Sequence, residues 1–97
     1  MSNPPGKEKV CVCEWSTSII LDGHLHCTSG PAWFTHDGSR MEWRINDKLH
    51  RIDGPAVIHM GGYSWALDGA VYPFSQWLMI NDQISDGEKV LISLEYS

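Results

Sequence analysis

The sequence predicts a mainly β domain, an antiparallel sheet of repeated β-hairpins closed by a short helical cap. Three observations carry this. A unit of about two dozen residues recurs along the chain. The units are punctuated by Asp-Gly and Asn-Asp pairs, which favour tight turns. After residue 73 the apolar spacing changes from strand-like to helix-like.

The repeat shows best at its loop. His26–Ala32 reads HCTSGPA, and HRIDGPA follows 24 residues later as His50–Ala56. The segment before each loop repeats as well: LDGHLH (21–26), INDKLH (45–50) and LDGAVY (67–72). The second step is 22 residues, so two residues are lost between Ala56 and Leu67. The turn is the expected place, where Asp37-Gly38-Ser39 gives way to Gly61-Gly62.

The elements follow in order. Residues 1–9 (MSNPPGKEK) are polar with Pro and Gly, and are expected as a disordered tail. Residues 10–72 are expected as the hairpin repeats. Their strands are 10–15 and 19–21 in a degenerate opening copy, then 32–36, 41–45, 56–60 and 63–67, all rich in aromatic or β-branched residues. Two-residue turns at Asp22-Gly23, Asn46-Asp47 and Asp68-Gly69 would pair Ile19 with His26, Trp43 with His50 and Trp65 with Tyr72. Residues 73–97 are the expected cap. Phe74, Trp77 and Leu78 have helical spacing. Ser85-x-x-Glu88 is a capping box ahead of a helix over 85–94. A cap of different sequence is what the open end of a repeat sheet needs.

Length and charge bound the function. Ninety-seven residues make one domain with a thin core, which the five Trp help to fill. The net charge of −5 argues against nucleic acid and anionic membranes as partners. No apolar run reaches the length of a membrane span. Residues 68–97 hold five acids against Lys89 alone, so a basic partner would meet that end first. Three cysteines behind no export signal point to the cytoplasm rather than to a disulfide scaffold. Exposed sheet edges and a thin core make a homodimer an expectation too.

Chemistry-bearing residues divide into those that repeat and those that do not. A catalytic group is needed once and a structural group in every unit. His26 and His50 therefore read as scaffold, with Arg51 and Asp53 tying the strand end to the Gly54-Pro55 turn. Cys11 and Cys13 share one strand face, as do His24 and His26, with Cys27 next to them. Together Cys11, Cys13, His24 and His26 offer a zinc donor set, although the C-x-C spacing is not that of a standard knuckle; burial as small core side chains is the commoner fate of such cysteines. Trp33, Phe34 and Arg44 are replaced by Val57, Ile58 and Ala66 in the next unit. Trp and Arg are favoured at interfaces, so Trp33, Arg40 and Arg44, with Asp86 and Glu88 of the acidic cap, are the candidate partner-binding residues. Phe34 reads as core. No phosphate loop, nucleophile elbow, HExxH or carboxylate pair is present, so no enzyme is expected.

The motif HRIDGPAVI (50–58), with EWRINDKL (42–49) before it, resembles a group of small proteins common in tailed bacteriophages. Those proteins carry repeated WYxNGKLHRxDGPA units, distantly like the β-hairpin repeats of MORN and toxin–antitoxin-related proteins. The tail ISDGEKVLISLEYS is similar to the segment that often follows the repeats, and the likeness spans roughly residues 14–97. This chain departs from the pattern at Cys27 and Ser29, in place of Arg and Asp, and at Asp47, in place of the turn glycine. The resemblance implies a phage or prophage origin. It makes the expected function a non-enzymatic inhibitor that masks a host protein, such as a CRISPR or other anti-phage defence component. Two alternatives stand beside it. One is a small-ligand binder, a sponge for a signalling nucleotide through Arg40, Arg44, Lys48 and Arg51, or a zinc protein. The other is a structural virion or assembly component.

Overall fold

The computed structural model describes residues 8–96; residues 1–7 of the tail expected over 1–9, and Ser97, lie outside the described residues. Pairing starts one residue earlier than expected, because Lys9 opens β1 (Lys9–Val12) opposite Ile20 of β2 (Ser16–Leu21). Then follow β3 (His24–Leu25), β4 (Trp33–Thr35), β5 (Arg40–Glu42), β6 (Arg44–Ile45), β7 (Lys48–Leu49), β8 (Val57–His59), β9 (Gly62–Leu67) and β10 (Ala70–Tyr72). Two helices close the chain, α1 (Phe74–Ile80) and α2 (Asp86–Tyr96). The fold is the mainly antiparallel sheet with a helical cap that the sequence predicts. The sheet runs β1-β2-β4-β5-β8-β9-β10, β3 adds to β2, and β6–β7 form a separate ribbon.

The repeat now has a geometry. Each unit has one long strand path: β2, β5 running on into β6, or β9. Its first half lies in the main sheet, and its second half pairs with a short partner, β3, β7 or β10. The three turns have positive φ at both central residues, 51° and 83° at Asp22-Gly23, 49° and 67° at Asn46-Asp47, 50° and 87° at Asp68-Gly69. That is the backbone a two-residue hairpin requires. The counted register follows: His26 N donates to Ile19 O at 3.0 Å, His50 N to Trp43 O at 3.0 Å, and Tyr72 lies opposite Trp65.

Three details differ from expectation. The opening hairpin pairs Lys9–Val12 with Ser16–Leu21, against strands expected at 10–15 and 19–21. The strand over 41–45 breaks at Trp43, whose amide donates to Ala56 O in the following loop (2.7 Å). The tight turn of the third unit is Met60-Gly61, because Gly62 already pairs with His59. The matching turn of the second unit spans 36–39, so the two missing residues were lost there.

After each of the first two hairpins a loop returns to the sheet, at 26–32 and 50–56, and both are latched alike. His26 Nδ1 accepts from Asn46 N (3.2 Å), and His50 Nδ1 accepts from Asp68 N (2.9 Å). Cys27 N donates to Arg44 O (3.1 Å), as Arg51 N does to Ala66 O (3.3 Å). Each repeated histidine thus clips its own loop to the turn of the next unit.

Strand alternation separates two faces. Ser18, Trp33, Glu42, Val57 and Ser64 form one row; Thr17, Phe34, Met41, Ile58 and Tyr63 form the row on the other face. Both helices cover the second face over the last unit. The core there is Trp65, Trp77 and Ile92, with Leu67, Tyr72, Phe74 and Tyr96 around it. The Trp65 ring lies 4.4 Å from that of Phe74 and 4.7 Å from that of Trp77. Asn81, buried where α1 ends, donates from Nδ2 to Ile52 O (2.8 Å) and pins the cap to the second loop. Helix α2 opens on the expected box: Glu88 N donates to Ser85 Oγ (3.2 Å), and Ser85 Oγ donates to Glu88 Oε1 (3.3 Å). The helix runs to Tyr96, whose ring meets Trp65 edge-on at 5.3 Å.

Candidate functional site

The two return loops sit side by side on the capped face, and a groove of about 660 Å³ lies between them. It is lined by Cys27–Pro31 of the first loop, by 50–53 of the second, and by Trp43, Ile45 and Asp68. The repeat places these groups. Trp43 sits at the break between β5 and β6, and Asp68 opens the third hairpin turn.

The second loop is internally clamped. Arg51 Nε donates to Asp53 Oδ1 at 2.9 Å, Nη1 donates to Pro55 O at 3.1 Å, and the guanidinium lies 3.9 Å over the Trp43 ring. This is the tie expected of Arg51 and Asp53, with a stacking contact added. The first loop has no such clamp: Cys27 Sγ reaches only Ser29 Oγ, at 3.5 Å. His50 accepts through Nδ1, so its neutral ring carries the proton on Nε2.

The other candidate residues fall in two places. Arg40 and Arg44 both bond Glu42, at 2.8 Å each, and Trp33 lies opposite Glu42 in the register. Burial pushes the Glu42 carboxyl up, but the hydrogen bonds from Arg40 and Arg44 outweigh it and hold it below its usual range. Phe34 is half-buried on the other face. Asp86 and Glu88 sit in the first turn of α2, so Trp33, Arg40 and Arg44 share a cluster that Asp86 and Glu88 do not join. Of the four bases weighed for a phosphate, Arg40, Arg44 and Arg51 are each committed to a carboxylate.

The zinc donor set is not assembled. β1 and β3 flank opposite edges of β2, Cys11 beside Ser18 and His24 beside Leu21, which separates them by roughly 10 Å across the sheet and a further 10 Å along it. Cys11 and Cys13 are exposed rather than core, and only Cys27 is buried. Among the described residues no three His, Cys, Asp or Glu side chains are grouped to hold a metal ion. His24 is instead bonded through Nδ1 to Asp47 Oδ2 (2.6 Å), and Leu25 N donates to Asp47 Oδ1 (2.6 Å). The His24 bond, then the Leu25 amide, hold the Asp47 carboxyl below its usual range.

One surface was not singled out from sequence. Val90, Leu91 and Leu94 of α2 are 58, 65 and 76% exposed, with Asp86, Glu88 and Glu95 exposed around them. The spacing of 90, 91 and 94 suits a helix but does not say which side of it is buried. The helix buries Ile92 and partly buries Tyr96 instead, because both pack against the Trp65 and Trp77 cluster. No helix is long and apolar enough to cross a membrane, among the described residues. No family model matches the chain, and neither the curated proteins nor the solved structures give a significant match.

Proposed function

We propose that this chain is a non-catalytic binding module that docks a protein partner on the capped face of its sheet. The exposed stripe of α2 carries the reading. Val90, Leu91 and Leu94 leave a helix face open to solvent after its opposite side has packed into the core. A contiguous apolar patch with a polar rim is the usual mark of a protein interface. The rim here is acidic, through Asp86, Glu88 and Glu95, which favours a partner surface that is apolar and basic. The resemblance to phage repeat proteins makes that partner a host protein, of the anti-phage defence class, whose surface the module would mask.

The test is capture from a bacterial lysate, with cross-linking to locate the contact. The wild-type chain should retain a protein cross-linked to α2. The double variant Leu91→Asp, Leu94→Asp should lose it while keeping its urea midpoint, since both side chains are exposed. Capture that survives the double substitution, or none above background, would overturn the proposal.

A further inference from the structure

The two return loops are the same seven-residue motif in two states. In the second, a β-carbon added at Gly54 would lie 2.6 Å from Arg51 Cζ, so the guanidinium occupies the space above that glycine. In the first, a β-carbon added at the equivalent Gly30 would meet nothing within 4 Å. The difference follows from Cys27 and Ser29 standing where Arg51 and Asp53 stand. The open space borders the groove, whose lining includes Gly30, Pro31 and Trp43; beneath it Ile19 stands where Trp43 stands under Arg51.

We propose that the first loop receives the guanidinium of an arginine supplied by the protein partner, in the place that the second loop fills with its own. This rests on the protein-binding reading and names a side chain by which the partner is held. The acceptors are counterparts of those Arg51 uses: the Pro31 carbonyl for that of Pro55, and Ser29 Oγ for the Asp53 carboxylate. The groove still has an exposed carboxylate in Asp68, 3.5 Å from His50 Nδ1 and 90% exposed, to meet the positive charge. Two acceptors set for Nε and Nη of one planar group favour arginine over lysine, whose ammonium is a point charge without the fork. Arg51 also lines the groove, but its charge is balanced by Asp53 at 2.9 Å.

The experiment titrates the full chain with the blocked tripeptide Gly-Arg-Gly, and with its citrulline and lysine analogues, by amide and indole NMR. The arginine peptide should shift Gly30 and the Trp43 indole saturably, and citrulline should bind roughly tenfold more weakly. The variant Cys27→Arg with Ser29→Asp writes the second loop's clamp into the first. It should keep the fold, which already accommodates that clamp once, and lose the arginine shifts. Asp68→Asn, a surface change, should weaken binding without touching the core, and it decides the matter if the double variant does not fold. Equal shifts with citrulline, or full binding by either variant, would overturn the inference. Capture sensitive to Leu91 and Leu94 without arginine binding would overturn this inference alone.

Discussion

Gly54→Ala and Gly30→Ala change the same repeat position, and their effects should have opposite signs. The methyl at residue 54 would sit 2.6 Å from Arg51 Cζ, which no packing tolerates, so the flexible Arg51 side chain must swing away. Three interactions go with it. The pair with Asp53 is exposed on the acid side and contributes about 0.5 kcal/mol. The bond to the Pro55 carbonyl is partly buried and contributes about 1 kcal/mol. The stacking on Trp43 contributes about 0.5–1 kcal/mol. Against this loss of about 2 kcal/mol, alanine restricts the unfolded chain and returns about 0.4–1 kcal/mol. Gly54→Ala should therefore destabilise by about 1–1.5 kcal/mol, lowering the urea midpoint by roughly 0.5–1 M. At Gly30 only the gain applies, since a β-carbon there meets nothing, and Ala should stabilise by about 0.4–1 kcal/mol. Urea unfolding followed by tryptophan fluorescence measures both. In an Arg51→Ala background Gly54→Ala should turn stabilising. Equal shifts for the two alanines, or a Gly54→Ala cost that persists without Arg51, would refute the reasoning.

Two further outcomes follow from the core and from the first long turn. Trp77 is fully buried between the sheet and α2, so Trp77→Ala should cost about 3–5 kcal/mol and remove most of the near-UV dichroism of the Trp65 cluster. Asp37 is held at about 2, against 3.8 for a free carboxyl, by hydrogen bonds from the Ser39 side chain, the Ser39 amide and Thr35. Its folded value is the lower one, so its contribution is complete above about pH 4 and is lost as the pH falls towards 2. A carboxyl titration by NMR should show that midpoint, and Asp37→Asn should flatten the decline of the urea midpoint over that range.

The sheet was legible because local rules and repetition agreed. Three Asx-containing turns fixed three registers, and each counted pair is present. The helices were legible as elements, through Ser85-x-x-Glu88 and the spacing of Phe74, Trp77 and Leu78, but the buried side of α2 was not. Val90, Leu91, Ile92 and Leu94 include more apolar positions than one helix face can bury, and only the position of Trp65 decides that Ile92 goes inside. The donor set at Cys11 and His24 failed for a related reason. Alternation along a strand tells which side chains share a face, but not that β2 intervenes between the two hairpin edges. The groove was named only through its parts, Cys27 and Ser29 as departures and Arg51 as a tie, because its volume exists only when two loops stand side by side.

The departures from the repeat are coupled, and that coupling explains how an open slot can persist. Between the second and third units the junction has the Arg51 clamp, and Gly69 occupies the second turn position. Between the first and second units the clamp is missing, and the same turn position is Asp47, held at φ 67° where glycine is easier. Its carboxylate takes two bonds across that junction, from His24 Nδ1 and Leu25 N, both at 2.6 Å. The latches common to both junctions use only the backbone and the repeated histidines, so residues 27, 29 and 47 can change without opening the array. The first junction thus regains at Asp47 part of the hold it lacks at Cys27, by charge-assisted bonds comparable to those of the clamp. The loss at Cys27 and Ser29 is thus partly offset a few residues away, on the hairpin side, while the space facing the groove stays open.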